Sequence, residues 1–473
     1  MSFELMAFQA KGANLLATSH RAMLVWDAGV GKTPTTVRAA MKTGAVRILV
    51  FCPPIAVSVW RQHFVDWSNI RDIRIFDATA AAKPYDFMAG EGVRIVPFSR
   101  LAQSRSVIEA ASRAPFDVAI VDEAHYLKNP EAIRTQAIYG ERLDLKGSPL
   151  ATTPHVWCLS GTPILNHAAE FWTHLHALRP DLIVLPQLGA MDYDTFVDRF
   201  CVVARGGPRG LRIVGSRNTY ELGQRLKPFI DRKKLRDVLP ELPELRIVEH
   251  SLPADTAIER SLRVELAQAM AGATLDRNID ALDDDQLLGM VQSSMVAFST
   301  VRRLIGRAKV EGVAELVSDF LEDNLDEKLI VFAHHREVIR DLAERLKAYA
   351  PLVITGETNA RNREMVIGAF QANPKRRLIV LAIEAAGESI TLHAAHNVVI
   401  AEMSPVPAKN HQAIARAHRN GQRNAVLARF VLLPGTLDAR LVSIVARKTR
   451  EIAQIVDNTP VQRATRVDFP DAI

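Results

Sequence analysis

The chain is poor in cysteine, has no leader-like start and has no long apolar run, and each absence narrows the reading. Only Cys52, Cys158 and Cys201 occur among 473 residues, far apart and without C-x-x-C spacing. A disulfide framework and a structural zinc site are therefore not expected. A reducing compartment fits, either a bacterial or viral-host cytosol or a nucleus, and secretion does not. The opening MSFELMAFQAKG lacks a basic flank followed by an apolar stretch, so no signal peptide is expected. No uncharged apolar segment reaches the ~20 residues that span a bilayer, so no membrane partner is expected. Low-complexity segments and short-period repeats are also missing. His125, His334, His335, His393, His396, His411 and His418 have no carboxylate or cysteine recurring at ligand spacing, so they read as hydrogen-bonding rather than metal-binding residues.

What remains is a globular composition, 48% hydrophobic and 24% charged, on a chain long enough for two or three domains. The net charge of +6 suits a polyanionic partner, and equally a merely soluble surface.

The first half alternates strands and helices. The segment Ala22 to Trp26 is an apolar strand running into a glycine-rich turn, with a helix expected from about Thr33 to Met41. Arg47 to Cys52, Val93 to Pro97, Val118 to Val121 and Val156 to Ser160 are nearly continuous apolar runs. Such runs mark strands buried on both faces of a parallel sheet, and the intervening helices predict a doubly wound α/β lobe. Residues 168–238 read as a helical protrusion, and Pro240 and Pro243 mark the boundary of a first domain, 1–240. In the second domain, 241–473, residues 254–321 read as a helical insertion with an acidic turn at Asp283, Asp284 and Asp285. Strands follow at Lys328 to Phe332, Leu352 to Thr355, Arg377 to Ala382, Asn397 to Ala401 and Val426 to Leu433, then an amphipathic helix from Leu437 to Val456. This is a second α/β lobe without a phosphate loop of its own.

The chemistry-bearing residues concentrate in a few motifs. In Gly29-Val30-Gly31-Lys32-Thr33, the glycines free backbone N–H groups to turn toward a polyphosphate. Lys32 supplies charge to the terminal phosphates, and the Thr33 hydroxyl suits Mg²⁺. Asp122 and Glu123 end an apolar strand. Asp122 fits as a water-mediated Mg²⁺ ligand and Glu123 as the group that orients and deprotonates water, although acids at a strand end also cap helices. Ser160 and Thr162 follow the next strand and can sense the γ-phosphate region. Gln9 can pair with both a donor and an acceptor on adenine. Near the C-terminus, Gln412, Arg416 and Arg419 stand at i, i+4 and i+7, which predicts one helical face presenting two arginines to an anion. Arg416 and Arg419 would offset charge on a transferred phosphoryl group. Two basic clusters, Arg232-Lys233-Lys234 and Lys375-Arg376-Arg377, are candidate phosphate contacts for a nucleic acid.

These residues in this order resemble the Swi/Snf-type branch of the superfamily 2 helicase-like ATPases, over about Leu5 to Val456. The likeness includes Val50-Phe51-Cys52-Pro53-Pro54 with Trp60, Leu127-Lys128-Asn129, Gly161 to Asn166, Arg302 to Val310 and Val331 to His335. It closes on Ala417-His418-Arg419-Asn420-Gly421-Gln422. The His334-His335 pair and the Ala385-Ala386-Gly387 turn look nearest to the annealing-helicase subgroup. The resemblance implies two tandem RecA-like lobes, ATP and Mg²⁺ as cofactors, and ATP-driven tracking along duplex DNA, normally without separating the strands; duplex or branched DNA is the expected partner, with a DNA-bound protein as a candidate target. It implies that Gln9 and Gln412 help bind ATP, that Ser160, Thr162 and Gly387 couple the sites, and that Pro53, Gly356, Arg363 and Ala386 lie near DNA. Trp26-Asp27-Ala28 stands where the family usually carries two acids and a methionine. Glu388 takes a position usually small or neutral, and Met403 to Pro407 lacks the usual tryptophan. Three functions follow as candidates: a duplex translocase, a strand-annealing or strand-separating helicase, and an ATP-gated clamp with little turnover.

Overall fold

The computed structural model describes residues 4–101, 105–186, 189–205, 211–253, 295–387 and 390–458. They fall into two compact units. The first holds the chain up to Cys201, Ser216–Pro240 and the segment from Ile452; the second holds Val202–Gly215 and Glu241–Glu451.

In the first unit, seven strands form one parallel sheet: β1 (Arg21–Trp26), β2 (Arg47–Cys52), β3 (Ile73–Ile75), β4 (Gly92–Pro97), β5 (Val118–Val121), β6 (His155–Ser160) and a late strand, Ile230–Lys233. The spatial order is Ile230–Lys233, β1, β6, β5, β2, β4, β3. β4 and β5 are buried throughout, and β1, β2 and β6 at every residue but the first, as their continuous apolar runs require. The register pairs Val25 with Ser160, Val121 with Cys158 and Phe51 with Val121. It therefore brings the turns after β1, β2, β5 and β6 to one edge, the carboxyl edge where open α/β sheets bind ligands.

Residues 168–238 are not a purely helical protrusion. Short helices Trp172–Leu178, Tyr193–Phe200 and Thr219–Leu226 alternate with two small two-stranded sheets, β7 (Val184–Leu185) with β8 (Gly189–Ala190) and β9 (Cys201–Arg205) with β10 (Leu211–Ser216). The late strand, β11, then returns beside β1, pairing Val25 with Arg232 and Trp26 with Lys233. It is half-buried and largely charged, so no apolar run announces it.

The second unit is also a parallel sheet. Its strands are β12 (Leu245–Ser251), β13 (Leu329–Ala333), β14 (Leu352–Ile354), β15 (Leu378–Ala382), β16 (Asn397–Ile400) and β17 (Val426–Leu432), in the order β12-β17-β16-β13-β15-β14. The acidic turn at Asp283 and the rest of 254–294 lie outside the described residues. The remainder of the expected insertion, helices Met295–Ala308 and Val310–Asp323, is part of this unit's core, with Val301, Ile305, Val313, Val317 and Leu321 all buried in it. The last helix, Leu437–Val456, has the bounds its apolar spacing predicts. Among the described residues no helix is long and apolar enough to cross a membrane.

Candidate functional site

The turn after β1 runs from Asp27 to Gly31 and hands the chain to helix Lys32–Lys42. Gly29 and Gly31 take φ of 82° and 89°, left-handed values that favour glycine. A Cβ at Gly31 would also overlap the Gln9 amide. That amide donates to Val30 O at 3.0 Å, and its oxygen accepts from the Met6 N–H at 2.9 Å. Both ends of Gln9 are thus engaged with the polypeptide, and the side chain braces the loop from behind. The Lys32 ammonium folds back to donate to Trp26 O at 2.8 Å and Asp27 O at 3.2 Å. Burial pulls its pKa below the ordinary lysine value, with Glu123, Asp122 and Asp27 acting in the opposite sense.

β5 delivers Asp122 and Glu123 to the same edge. Asp122 accepts the Trp60 indole N–H at 2.8 Å and the Glu123 N–H at 3.0 Å. Trp60 comes from helix Val57–Trp67 and is fully buried. Burial, then the neighbouring Glu123 charge, push the Asp122 pKa up to about 6, while Trp60 and Lys32 oppose the rise. Buried Asp122 beside half-buried Glu123 fits a divalent cation, because a nearby positive charge would favour the ionised carboxylate and each Asp122 oxygen keeps a lone pair to offer. Glu123 sits at φ 48°, left-handed and costly for a residue with a Cβ. Its Oε2 lies 3.2 Å from His125 Nδ1, which is 3.3 Å from Ser160 Oγ, and that hydroxyl accepts the Thr162 N–H at 3.1 Å. A polar chain therefore runs from the acid at the end of β5 to the turn after β6. Buried Glu170 fixes that turn from below by accepting from Leu165 N, Asn166 N, Asn166 Nδ2 and Lys128 Nζ.

Pro53 is buried at the end of β2, where it starts the turn Pro54–Ala56 rather than offering a contact surface. The first basic cluster is neutralised internally. Arg232 bonds Asp27 and Asp457, Lys233 pairs with Asp231, and Lys234 pairs with Asp457. The second cluster is partly committed as well. Arg377 donates to Leu321 O and Asn324 O at the end of helix Val310–Asp323, and Arg376 donates to Ala350 O, which leaves Lys375 as the exposed cation.

In the second unit the expected single helical face from Gln412 to Arg419 does not form. Helix Pro407–Ile414 carries Gln412 and stops before Arg416. Beyond it the chain runs in turns, with Arg416 N–H donating to Ala413 O and Ala417 N–H to Ile414 O, and the Arg416 carbonyl accepts the long-range Leu392 N–H at 2.8 Å. Those turns nevertheless bring the two arginines together: Arg416 and Arg419 approach the same carbonyl, Ile390 O, at 3.5 and 3.0 Å. Arg416 is buried, and burial lowers the Arg419 pKa. Gln422, which spacing gave no reason to single out, holds these turns. Its amide donates to His393 O, Ala395 O and Ala417 O and accepts from Arg423 N and Asn424 N. The two histidines after β13 are oriented by acids: Glu402 accepts from His335 Nδ1 at 2.7 Å, and Glu384 pairs with His334 and Lys409. Lys409 is on the helix that carries Gln412, and Glu384 is in the turn Ile383–Gly387 that includes Ala386 and Gly387. Glu388 lies outside the described residues. Gly356 is exposed after β14, and Arg363 is buried beneath that turn, donating to Thr358 O at 3.1 Å.

The SNF2-related domain family matches residues 8–293, and the helicase conserved C-terminal domain family matches 309–421. The SWI/SNF-related matrix-associated actin-dependent regulator of chromatin subfamily A-like protein 1 of Xenopus tropicalis is 30% identical over 95% of this chain and 45% of its own length. The human DNA annealing helicase and endonuclease ZRANB3 is 26% identical over 96% of this chain and 40% of its own. The chain thus spans less than half the length of these two relatives. A Sulfolobus solfataricus SWI2/SNF2 ATPase core in complex with dsDNA aligns over 93% of this chain and 90% of that one, at 19% identity and a TM-score of 0.44.

Proposed function

The chain belongs to the SNF2-related domain family, and from that premise we propose that it is a DNA-dependent ATPase that translocates on duplex or branched DNA and displaces or remodels what is bound there. The observation that carries the ATPase reading is the convergence at one sheet edge of the Gly29–Lys32 turn and the Asp122–Glu123 pair, tied through His125 to Ser160 and Thr162.

In this reading the backbone N–H groups around Gly29 and Gly31 cradle the phosphates of ATP, and Lys32 exchanges its two carbonyl contacts for the terminal phosphates. Thr33, and Asp122 through water, would hold Mg²⁺, which would neutralise phosphate charge. Glu123 orients the attacking water and takes its proton. Arg416 and Arg419 supply the positive charge that offsets the transferred phosphoryl group, Gln412 helps retain the nucleotide, and Gln9 does so by bracing the loop that holds it. Ser160, Thr162 and Gly387 relay occupancy. Pro53 and Arg363, both buried, support turns near the track, with Gly356 and Ala386 nearer to it. Phosphate contacts fall to cations outside the neutralised Arg232–Lys234 cluster, Lys375 among them.

A second reading, strand annealing, is favoured by one observation: the human relative is named a DNA annealing helicase. Both readings are tested by ATP turnover measured with single-stranded, duplex, forked and four-way DNA and with RNA, alongside strand release and annealing on the forked substrate. Strong stimulation by duplex without strand release supports translocation. Robust release of one strand overturns it, and tight ATP-dependent DNA binding with negligible turnover replaces it by a clamp.

A further inference from the structure

We propose that Asp457, just past the C-terminal helix, is a positioning residue for the phosphate loop and acts through Arg232 on Asp27; the inference rests on the nucleotide-site reading above. Asp27 opens that loop. Its carbonyl receives the Lys32 ammonium, its N–H donates to Lys233 O at 3.0 Å, and its carboxylate accepts from Arg232 Nη1 at 2.5 Å and Leu235 N at 2.8 Å. Arg232 is itself held from the far side, with Nε donating to Asp457 Oδ1 at 2.9 Å and Nη1 also donating to Val25 O at 3.1 Å. The second oxygen of Asp457 pairs with Lys234 at 2.5 Å. The side chains of Asp27 and Asp457 are only 13% and 12% exposed, so these bonds are shielded from the screening that weakens surface pairs.

The end of the helix is seated deliberately. Thr219 Oγ1 donates to Gln454 Oε1 at 2.7 Å, and a Cβ at Gly223 would come within 2.8 Å of Ile455 O, so only glycine admits that carbonyl. The charges balance locally: Asp27 and Asp457 against Arg232 and Lys234. Without the Asp457 carboxylate, Arg232 keeps Asp27, Val25 O and Lys233 O, all through Nη1, but loses the acceptor on Nε that steadies the other side of its guanidinium, and two cations share one acid. Arg232 then no longer holds Asp27 in a single place, and the loop start to which Lys32 is bonded loses its definition. Paired charges tie the turn after helix Leu437–Val456, through Arg232, to a residue 430 positions earlier, which explains why a strand as charged as β11 lies beside β1.

The test uses the full chain with Asp457→Asn, Asp457→Glu, Lys234→Met and Lys32→Ala, reading KM for ATP, kcat on saturating duplex DNA, binding of a fluorescent ADP analogue, and Tm. Asp457→Asn is expected to raise KM and weaken ADP binding about tenfold, within the range by which residues that touch neither ligand modulate a site. The value of kcat should stay within about twofold, and Asp457→Glu should recover most of the affinity. Lys234→Met, which spares the Arg232 bond, should leave affinity near wild type. Unchanged ADP binding in Asp457→Asn, with Lys32→Ala binding lost, overturns the inference and leaves the nucleotide site standing. Equal losses in Lys234→Met and Asp457→Asn also overturn it, because the helix end would then act only by packing. If Lys32→Ala bound ADP normally, the nucleotide-site reading would fall first.

Discussion

Replacing Trp60 by Phe should move the acid limb of the pH–rate profile. The indole N–H donates to Asp122 Oδ2 at 2.8 Å and opposes the burial and the Glu123 charge that raise this carboxyl from 3.8 to about 6. Asp122 must be ionised to do its proposed work, so activity should fall as pH drops through about 6. A hydrogen bond to a charged group is worth about 1.5–3 kcal/mol, and one pKa unit is ~1.4 kcal/mol, so losing the indole donor should raise the carboxyl by roughly one to two units. Phe keeps most of the buried ring, at a cost of about 1–3 kcal/mol for the lost volume. The assay is kcat/KM for ATP between pH 5 and 9 with saturating duplex DNA, because this parameter reports groups of the free enzyme. The Trp60→Phe limb should sit roughly one to two units above wild type, with the variants converging toward pH 9. Stability carries the opposite sign. A carboxyl raised on folding binds its proton more tightly in the native state, so the nucleotide-free protein should lose stability as pH rises from about 4 to about 6. Coincident acid limbs, or a loss uniform across pH, would refute the role given to Trp60.

Gly31→Ala should abolish nucleotide binding, since φ is 89° and the new Cβ would overlap the Gln9 amide; calorimetric titration with ADP checks this. Lys309, 1% exposed, pairs with Asp438 at 2.6 Å and bonds Val431 O, so Lys309→Met alone should cost about 3–5 kcal/mol in urea unfolding, and adding Asp438→Leu should recover much of it. Gln422→Ala removes five bonds that hold the Arg416–Arg419 turns. It should destabilise the second unit by roughly 2–4 kcal/mol and slow DNA-stimulated turnover, read by thermal melting and ATPase rate.

Most of both sheets is legible in the sequence because doubly buried strands must be unbroken apolar runs, as Leu329 to Ala333 and Val118 to Val121 are. The phosphate loop is legible because its chemistry demands glycine, lysine and a hydroxyl at fixed spacing. β11 is hidden because its residues are charged and half-buried, and the partners that neutralise them lie about 200 residues away in sequence, at Asp27 and Asp457. The spacing of Gln412, Arg416 and Arg419 suggests one helix, but after Ile414 the chain tightens into turns, Arg416 N–H donating to Ala413 O and Ala417 N–H to Ile414 O, and the Arg416 carbonyl accepts the Leu392 N–H, a long-range contact that local periodicity cannot carry. Trp60 is visible as part of a family pattern, yet its hydrogen bond to Asp122 spans 62 residues and only the fold reveals it.

The proposed function assigns the grip on ATP to Lys32, Asp122 and Glu123 and the charge that speeds hydrolysis to Arg416 and Arg419. The most direct test is single-turnover ATP hydrolysis by Arg419→Ala on duplex DNA, with ATP affinity measured in the same preparation. The expected result is a rate lowered by about a thousandfold or more, the scale of an arginine finger, with affinity changed only a few-fold. Hydrolysis at the wild-type rate by Arg419→Ala would contradict it.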